Sequence, residues 1–140
     1  VLLAFSQCQR QTDYDIVIRN GLVYDGDLND PIRADVGISG ARIAEIGDLS
    51  EKTANRDIDA DGLAVSPGFI DMHVHLGSIQ ELPEMESLLR QGVTTALGGP
   101  DGGGPWPFGD YLDTLEAMGV GANVAYLFGH NTIRRNVMGD

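Results

Sequence analysis

The sequence predicts an α/β fold in two parts: a small β-rich segment over residues 14–66, then the opening strands and helices of a (β/α)8 barrel over residues 67–140. Three observations predict it. Up to Ser66-Pro67-Gly68 the chain is a series of short alternating runs broken by turn residues, the pattern of paired strands. After Gly68 the rhythm changes. Strand-length apolar runs there alternate with helical stretches of about ten residues, as right-handed βαβ crossovers onto a parallel sheet require. The third observation is length: a closed barrel takes on the order of 250 residues, and the chain has 140. The barrel is therefore expected to be incomplete, with three strands and two helices.

Residues 1–13 open with the apolar run Val1-Leu2-Leu3-Ala4-Phe5, then Ser6-Gln7-Cys8 and a polar stretch. One reading is the tail of a bacterial lipoprotein signal, with Cys8 lipidated as a membrane tether and the protein in the envelope; Leu3 and Ser6 suit it and Gln7 does not. The other is a frayed strand with an inert cysteine in a cytoplasmic protein. From Tyr14, Ile16 and Ile18 share one strand face, and Asn20-Gly21 predicts a type I′ hairpin turn into Leu22-Val23-Tyr24. An antiparallel arrangement then continues through Asp35 to Ile38, the Ser39-Gly40 turn, Arg42 to Ile46, and a strand within 57–65. In the second part, 69–76, 93–97 and 123–128 read as strands, and 82–91 and 109–118 as helices.

Composition narrows the chemistry. Nine cations against 21 acidic residues give a net charge of −12, spread along the chain, so a nucleic-acid partner would be repelled. No run of 18 apolar residues occurs, which excludes a membrane-spanning helix. Cys8 is the only cysteine, so any metal must be held by histidines and carboxylates. Lys52 is the only lysine and lies in the β-rich segment.

The strongest signal is Gly68-Phe69-Ile70-Asp71-Met72-His73-Val74-His75-Leu76. Side chains alternate along a strand, so Asp71, His73 and His75 share one face, while Ile70, Met72, Val74 and Leu76 share the other. Imidazoles two residues apart, about 6.6 Å along the strand, can converge on one divalent ion with bonds of about 2.0–2.1 Å. Their place at a strand's C-terminal end is where barrel active sites are built. The alternative is two buried histidines satisfied by carbonyls, a costly arrangement without further partners. The glycine-rich stretch Gly98-Gly99-Pro100-Asp101-Gly102-Gly103-Gly104-Pro105 lacks the Lys-Ser/Thr of a P-loop. Trp106 reads as a loop lid or a packing plug.

The strand Pro67 to His75 resembles the first metal strand of the amidohydrolase superfamily. Tyr14 to Gly21, Ala34 to Ile38, Arg42 to Gly47, Gln91-Gly92-Val93-Thr94-Thr95, and above all Gly129-His130-Asn131-Thr132-Ile133-Arg134 with Val137-Met138-Gly139, resemble its N-acyl-D-amino-acid deacylase branch. The resemblance covers about residues 14–139. It implies that the β-rich segment is part of a small sandwich domain, and that the activity is metal-dependent hydrolysis of a C–N amide bond in a small N-acyl-D-amino acid. The metal, most often zinc in such enzymes, lowers the pKa of a bound water and polarises the scissile carbonyl. His73 and His75 are implied ligands. Asp101 stands where these deacylases often carry a metal-binding cysteine, and is either a harder oxygen ligand or a turn residue.

Asp71 either orients a histidine or caps the strand turn. His130, at the end of the third strand, is a capping or second-shell histidine or a ligand, and Arg134 holds a substrate carboxylate or is an ordinary surface cation. The general base and later ligands are expected downstream of Asp140, so this segment alone is expected to be inactive. Two alternatives stay open: a cyclic-amide hydrolase of dihydroorotase or hydantoinase type, and a non-catalytic envelope-tethered module with a vestigial barrel.

Overall fold

The computed structural model describes residues 12–139; Cys8 and the apolar run before it lie outside the described residues. The chain forms two compact units, the first ending at Pro67 and the second starting at Gly68.

The first unit is a five-stranded sheet made of β1 (Tyr14–Val23), β2 (Ile32–Ser39), β3 (Arg42–Gly47), β4 (Ala54–Asp59) and β5 (Ala64–Val65). The order is β3-β2-β1-β4, with β5 also on β1. β2 is antiparallel to β1 and β3, whereas β4 and β5 run parallel to β1. The expected all-antiparallel arrangement is therefore corrected to a mixed sheet, and the single strand expected within 57–65 to two. Asn20 does adopt the left-handed conformation that its Asn-Gly signal predicts, φ 61°. It makes a bulge inside one continuous strand instead of a hairpin, because pairing with β2 resumes on both sides, Ile18 with Val36 and Gly21 with Ala34.

What sets that register is Asp35, a buried carboxylate that accepts the backbone N–H of Asn20 at 2.8 Å and of Leu49 at 3.2 Å. Arg19 lies 3.6 Å from it and ties the unit together through the carbonyls of Leu49 and Lys52 and the carboxylate of Asp57. The small core beside this network is Tyr14, Val17 and Leu49. Val17 is the fully buried residue of its strand while Ile16 and Ile18 are half-buried, so the deeper face is the one opposite the isoleucine pair.

The second unit has three parallel strands, β6 (Phe69–Val74), β7 (Val93–Gly98) and β8 (Asn123–Tyr126), in that spatial order. Helices α1 (Glu86–Leu89), α2 (Phe108–Met118) and α3 (His130–Met138) follow them in turn. The core joins Ala96 of β7 to Leu115 of α2 and to Leu76, Ile79, Met85 and Ala122 in the connections. The α/β expectation holds, with two corrections. α1 is far shorter than 82–91, because Pro83 has no N–H and Met85 takes a left-handed φ of 50° at the helix start. Residues before it form successive turns, such as Leu82 N–H to Ser78 O at 2.9 Å. The second correction is a third helix: β8 stops at Tyr126, short of the expected 128, and the chain turns at Gly129 into α3.

Candidate metal centre

β6 positions the first histidine and ends one residue before the second. His73 lies within the strand and His75 directly beyond it, and their ring centroids are 5.8 Å apart. The neighbouring parallel strand β7 ends at Gly98, so the loop that follows emerges at the same C-terminal edge. Asp101 sits in that loop between Gly99 and Gly102, at φ 80° and 76°, a conformation that glycine accepts without steric cost and that turns the loop back over the strand ends.

The result is a three-residue cluster. Nε2 of His73 is 3.2 Å from one carboxylate oxygen of Asp101, and Nε2 of His75 is 3.2 Å from the other. One ligand atom from each of the three lies within 4.8 Å of the other two. Ligands bonded to a tetrahedral ion at about 2.0–2.1 Å stand about 3.3 Å from one another, whereas a charge-assisted N–H···O contact closes to about 2.7–2.9 Å. The His–Asp separations lie near the former and at the long end of an ordinary N–H···O hydrogen bond, each imidazole facing a different carboxylate oxygen. The donor set of two imidazoles and one carboxylate, with no thiolate, fits a divalent cation of zinc type. The side chains are 61%, 77% and 56% exposed in this chain.

Asp71 accepts the backbone N–H of His73 at 3.0 Å, the capping contact that is one of its two expected roles. His130 opens α3 instead of ending a strand, is exposed, and falls outside the three-residue cluster found among the described residues. Arg134 is exposed on the same helix. Trp106 is 53% exposed in this chain.

Beside the cluster the hydroxyls of Tyr111 on α2 and Tyr126 on β8 lie 3.0 Å apart with their rings edge to face. Burial, then the hydrogen bond to Tyr111, pushes the Tyr126 phenol well above its ordinary ionisation range. Neither tyrosine is distinguished by its local sequence from a packing residue. Thr132, buried at the start of α3, lies in the stretch that carries the resemblance, but its role is not legible there, since its hydroxyl bonds to Gly104, 28 residues back in the chain.

No protein-family model matches the chain. D-aminoacylase of Alcaligenes xylosoxydans xylosoxydans is 36% identical over 151 residues, which cover 91% of this chain and 31% of that protein. N-acyl-D-glutamate deacylase of the same organism is 40% identical over 153 residues, covering 93% of this chain and 31% of that protein. The crystal structure of N-acyl-D-glutamate deacylase from Bordetella bronchiseptica, complexed with zinc and a phosphonate mimic of the tetrahedral intermediate, superposes with a TM-score of 0.81 at 31% identity, over 91% of this chain and 32% of that one. The chain is thus similar to N-acyl-D-amino-acid deacylases, among them a D-aminoacylase whose crystal structure defines a subset of the amidohydrolases, as the motifs predict. The chain spans 31% of the length of these curated relatives.

Proposed function

We propose that the full-length protein hydrolyses the C–N amide bond of N-acyl-D-amino acids, and that this chain supplies His73, His75 and Asp101 to its metal site. The observation that carries the reading is the convergence of both Nε2 atoms on the Asp101 carboxylate at adjacent ends of β6 and β7. It is supported by similarity to deacylases over nine-tenths of the chain.

A divalent cation held there supplies Lewis acidity toward a carbonyl oxygen and acidifies water. The chain's own residues do the holding. Each imidazole offers its Nε2 lone pair, which requires the neutral ring with its proton on Nδ1. Asp101 brings one negative charge and offsets part of the cation's. Asp71, by fixing the backbone of His73, keeps the first imidazole at the strand end. Water is consumed in the net reaction, and a carboxylate and a free D-amino acid are released.

The test is metal analysis and turnover of the full-length protein and its His73→Ala/His75→Ala variant, with N-acetyl-D- and N-acetyl-L-amino acids as substrates. We expect bound zinc in the parent, loss of that metal in the variant, and hydrolysis of the D enantiomer only. Unchanged metal stoichiometry and affinity in the variant would overturn the ligand assignment. Hydrolysis of a cyclic amide in place of the acyl amino acid would overturn the substrate assignment.

A further inference from the structure

The glycine-rich loop that carries Asp101 is fastened by the first turn of α3. Ahead of the helix, the Leu127 N–H donates to the carbonyl of Gly98 at 2.9 Å, and within it the Asn131 N–H donates to the carbonyl of Gly102 at 2.8 Å. Thr132 grips a single residue twice: its hydroxyl oxygen accepts the N–H of Gly104 and donates to the carbonyl of Gly104, both at 3.1 Å. The two backbones approach so closely that a Cβ on Gly129 would lie 2.6 Å from the Gly104 nitrogen. Asp101 therefore sits in a stretch pinned before it at Gly98 and after it at Gly102 and Gly104. A glycine-rich loop loses more backbone freedom on ordering than any other sequence, so its geometry depends on such outside bonds.

From this we infer that Thr132 is a positioning residue for the metal centre, holding the 98–104 loop in the one conformation that places the Asp101 carboxylate against His73 and His75. The inference rests on the reading of Asp101 as a ligand. The hydroxyl of Thr132 bonds to the peptide groups of Gly104 rather than to any of the three proposed ligands, and acts through them. Threonine has both the donor and the acceptor needed to engage the N–H and the C=O of one residue. Valine has the same shape and neither, and would leave both Gly104 groups without partners.

The experiment is cobalt(II) affinity, read from the visible absorption of the metal-loaded full-length protein, for the parent, Thr132→Val, Thr132→Ser, Asp101→Ala and Thr132→Val/Asp101→Ala. Thr132→Val is expected to weaken binding by about tenfold, the low end of what loss of a supporting contact costs a metal site. Thr132→Ser, which keeps the hydroxyl, should restore the parent value. In the Asp101→Ala background, Thr132→Val should change nothing further. Parent-like affinity in Thr132→Val, or the same drop with and without Asp101, overturns the positioning role while leaving the ligand assignment standing. Parent-like affinity in Asp101→Ala overturns the ligand assignment and this inference with it.

Discussion

The two units use their carboxylates in opposite ways. In the first, carboxylates accept backbone N–H groups where strands begin, bulge or end: Asp13 from Thr53 at 2.9 Å, Asp15 from Gly40 at 2.7 Å, Asp35 from Asn20 and Leu49, and Asp48 from Ser50 at 3.0 Å. In the second, Asp71 plays that part, but Asp101 turns both oxygens toward imidazoles and stands 56% exposed. A carboxylate facing backbone donors is a structural brace. A carboxylate facing two ring nitrogens is placed to share a cation with them.

The sharpest way to break this contrast is to remove the most buried brace. Asp35→Ala strands two backbone N–H groups and leaves Arg19 without its buried partner, and should cost about 3 kcal/mol of stability, the lower range for breaking a buried pair. Urea unfolding of the full-length protein measures the loss, and zinc content should stay at the parent value. If zinc content falls with stability, the two kinds of carboxylate are not separable.

Acid titration tests the same division more gently. The hydrogen bond from the Thr53 N–H, then the Thr53 hydroxyl, holds the Asp13 carboxyl below its ordinary 3.8. A depressed folded-state pKa adds stability that is fully present above the unfolded value and is lost as pH falls through the folded one. The unfolding midpoint should therefore drop as the pH goes below about 4. Asp13→Asn should be less stable than the parent at neutral pH and show a flatter decline in acid; an unchanged slope would remove Asp13 from the set of braces.

The smallest effect expected is from Tyr111→Phe, which deletes one half-buried hydrogen bond worth about 1 kcal/mol. It should also lower the Tyr126 ionisation midpoint, read by ultraviolet titration, without bringing it to the ordinary value, since burial is the larger cause of its rise. No downward movement would mean that the hydroxyl contact has no electrostatic weight.

How much of this was legible in sequence depended on how local the determining contact is. The His-x-His strand could be read because alternation within six residues fixes which side chains converge. The reach of Asp101 could be read from the glycines flanking it. The left-handed conformation of Asn20 is local and was legible, but whether it makes a hairpin or a bulge is decided by Asp35, 15 residues away. Parallel pairing of β4 and β5 with β1 leaves no signature in turn residues, which report only on neighbouring strands. The truncation of α1 follows from Pro83 and from the packing of its loop, where the Pro83 carbonyl accepts the N–H of Gly121 at 2.8 Å, a contact no local pattern encodes.

The parallel partners of β1 have a further consequence for the newborn chain. Tyr14 pairs with Ala54, a separation of 54 − 14 = 40 residues, so β1 can join β2 well before its other edge is covered. Between synthesis of Ser39 and Val65 lie 65 − 39 = 26 residues, on the order of 1–5 s at ribosomal rates, during which a bare strand edge invites pairing with a neighbouring chain. Charged side chains deter such pairing, and β1 carries Asp15 and Arg19. Once β4 arrives, Asp15 accepts a hydrogen bond from Asn55 at 3.3 Å and Arg19 engages Asp57 at 2.7 Å. The same two charges that keep strangers off the edge become the latch for its proper occupant.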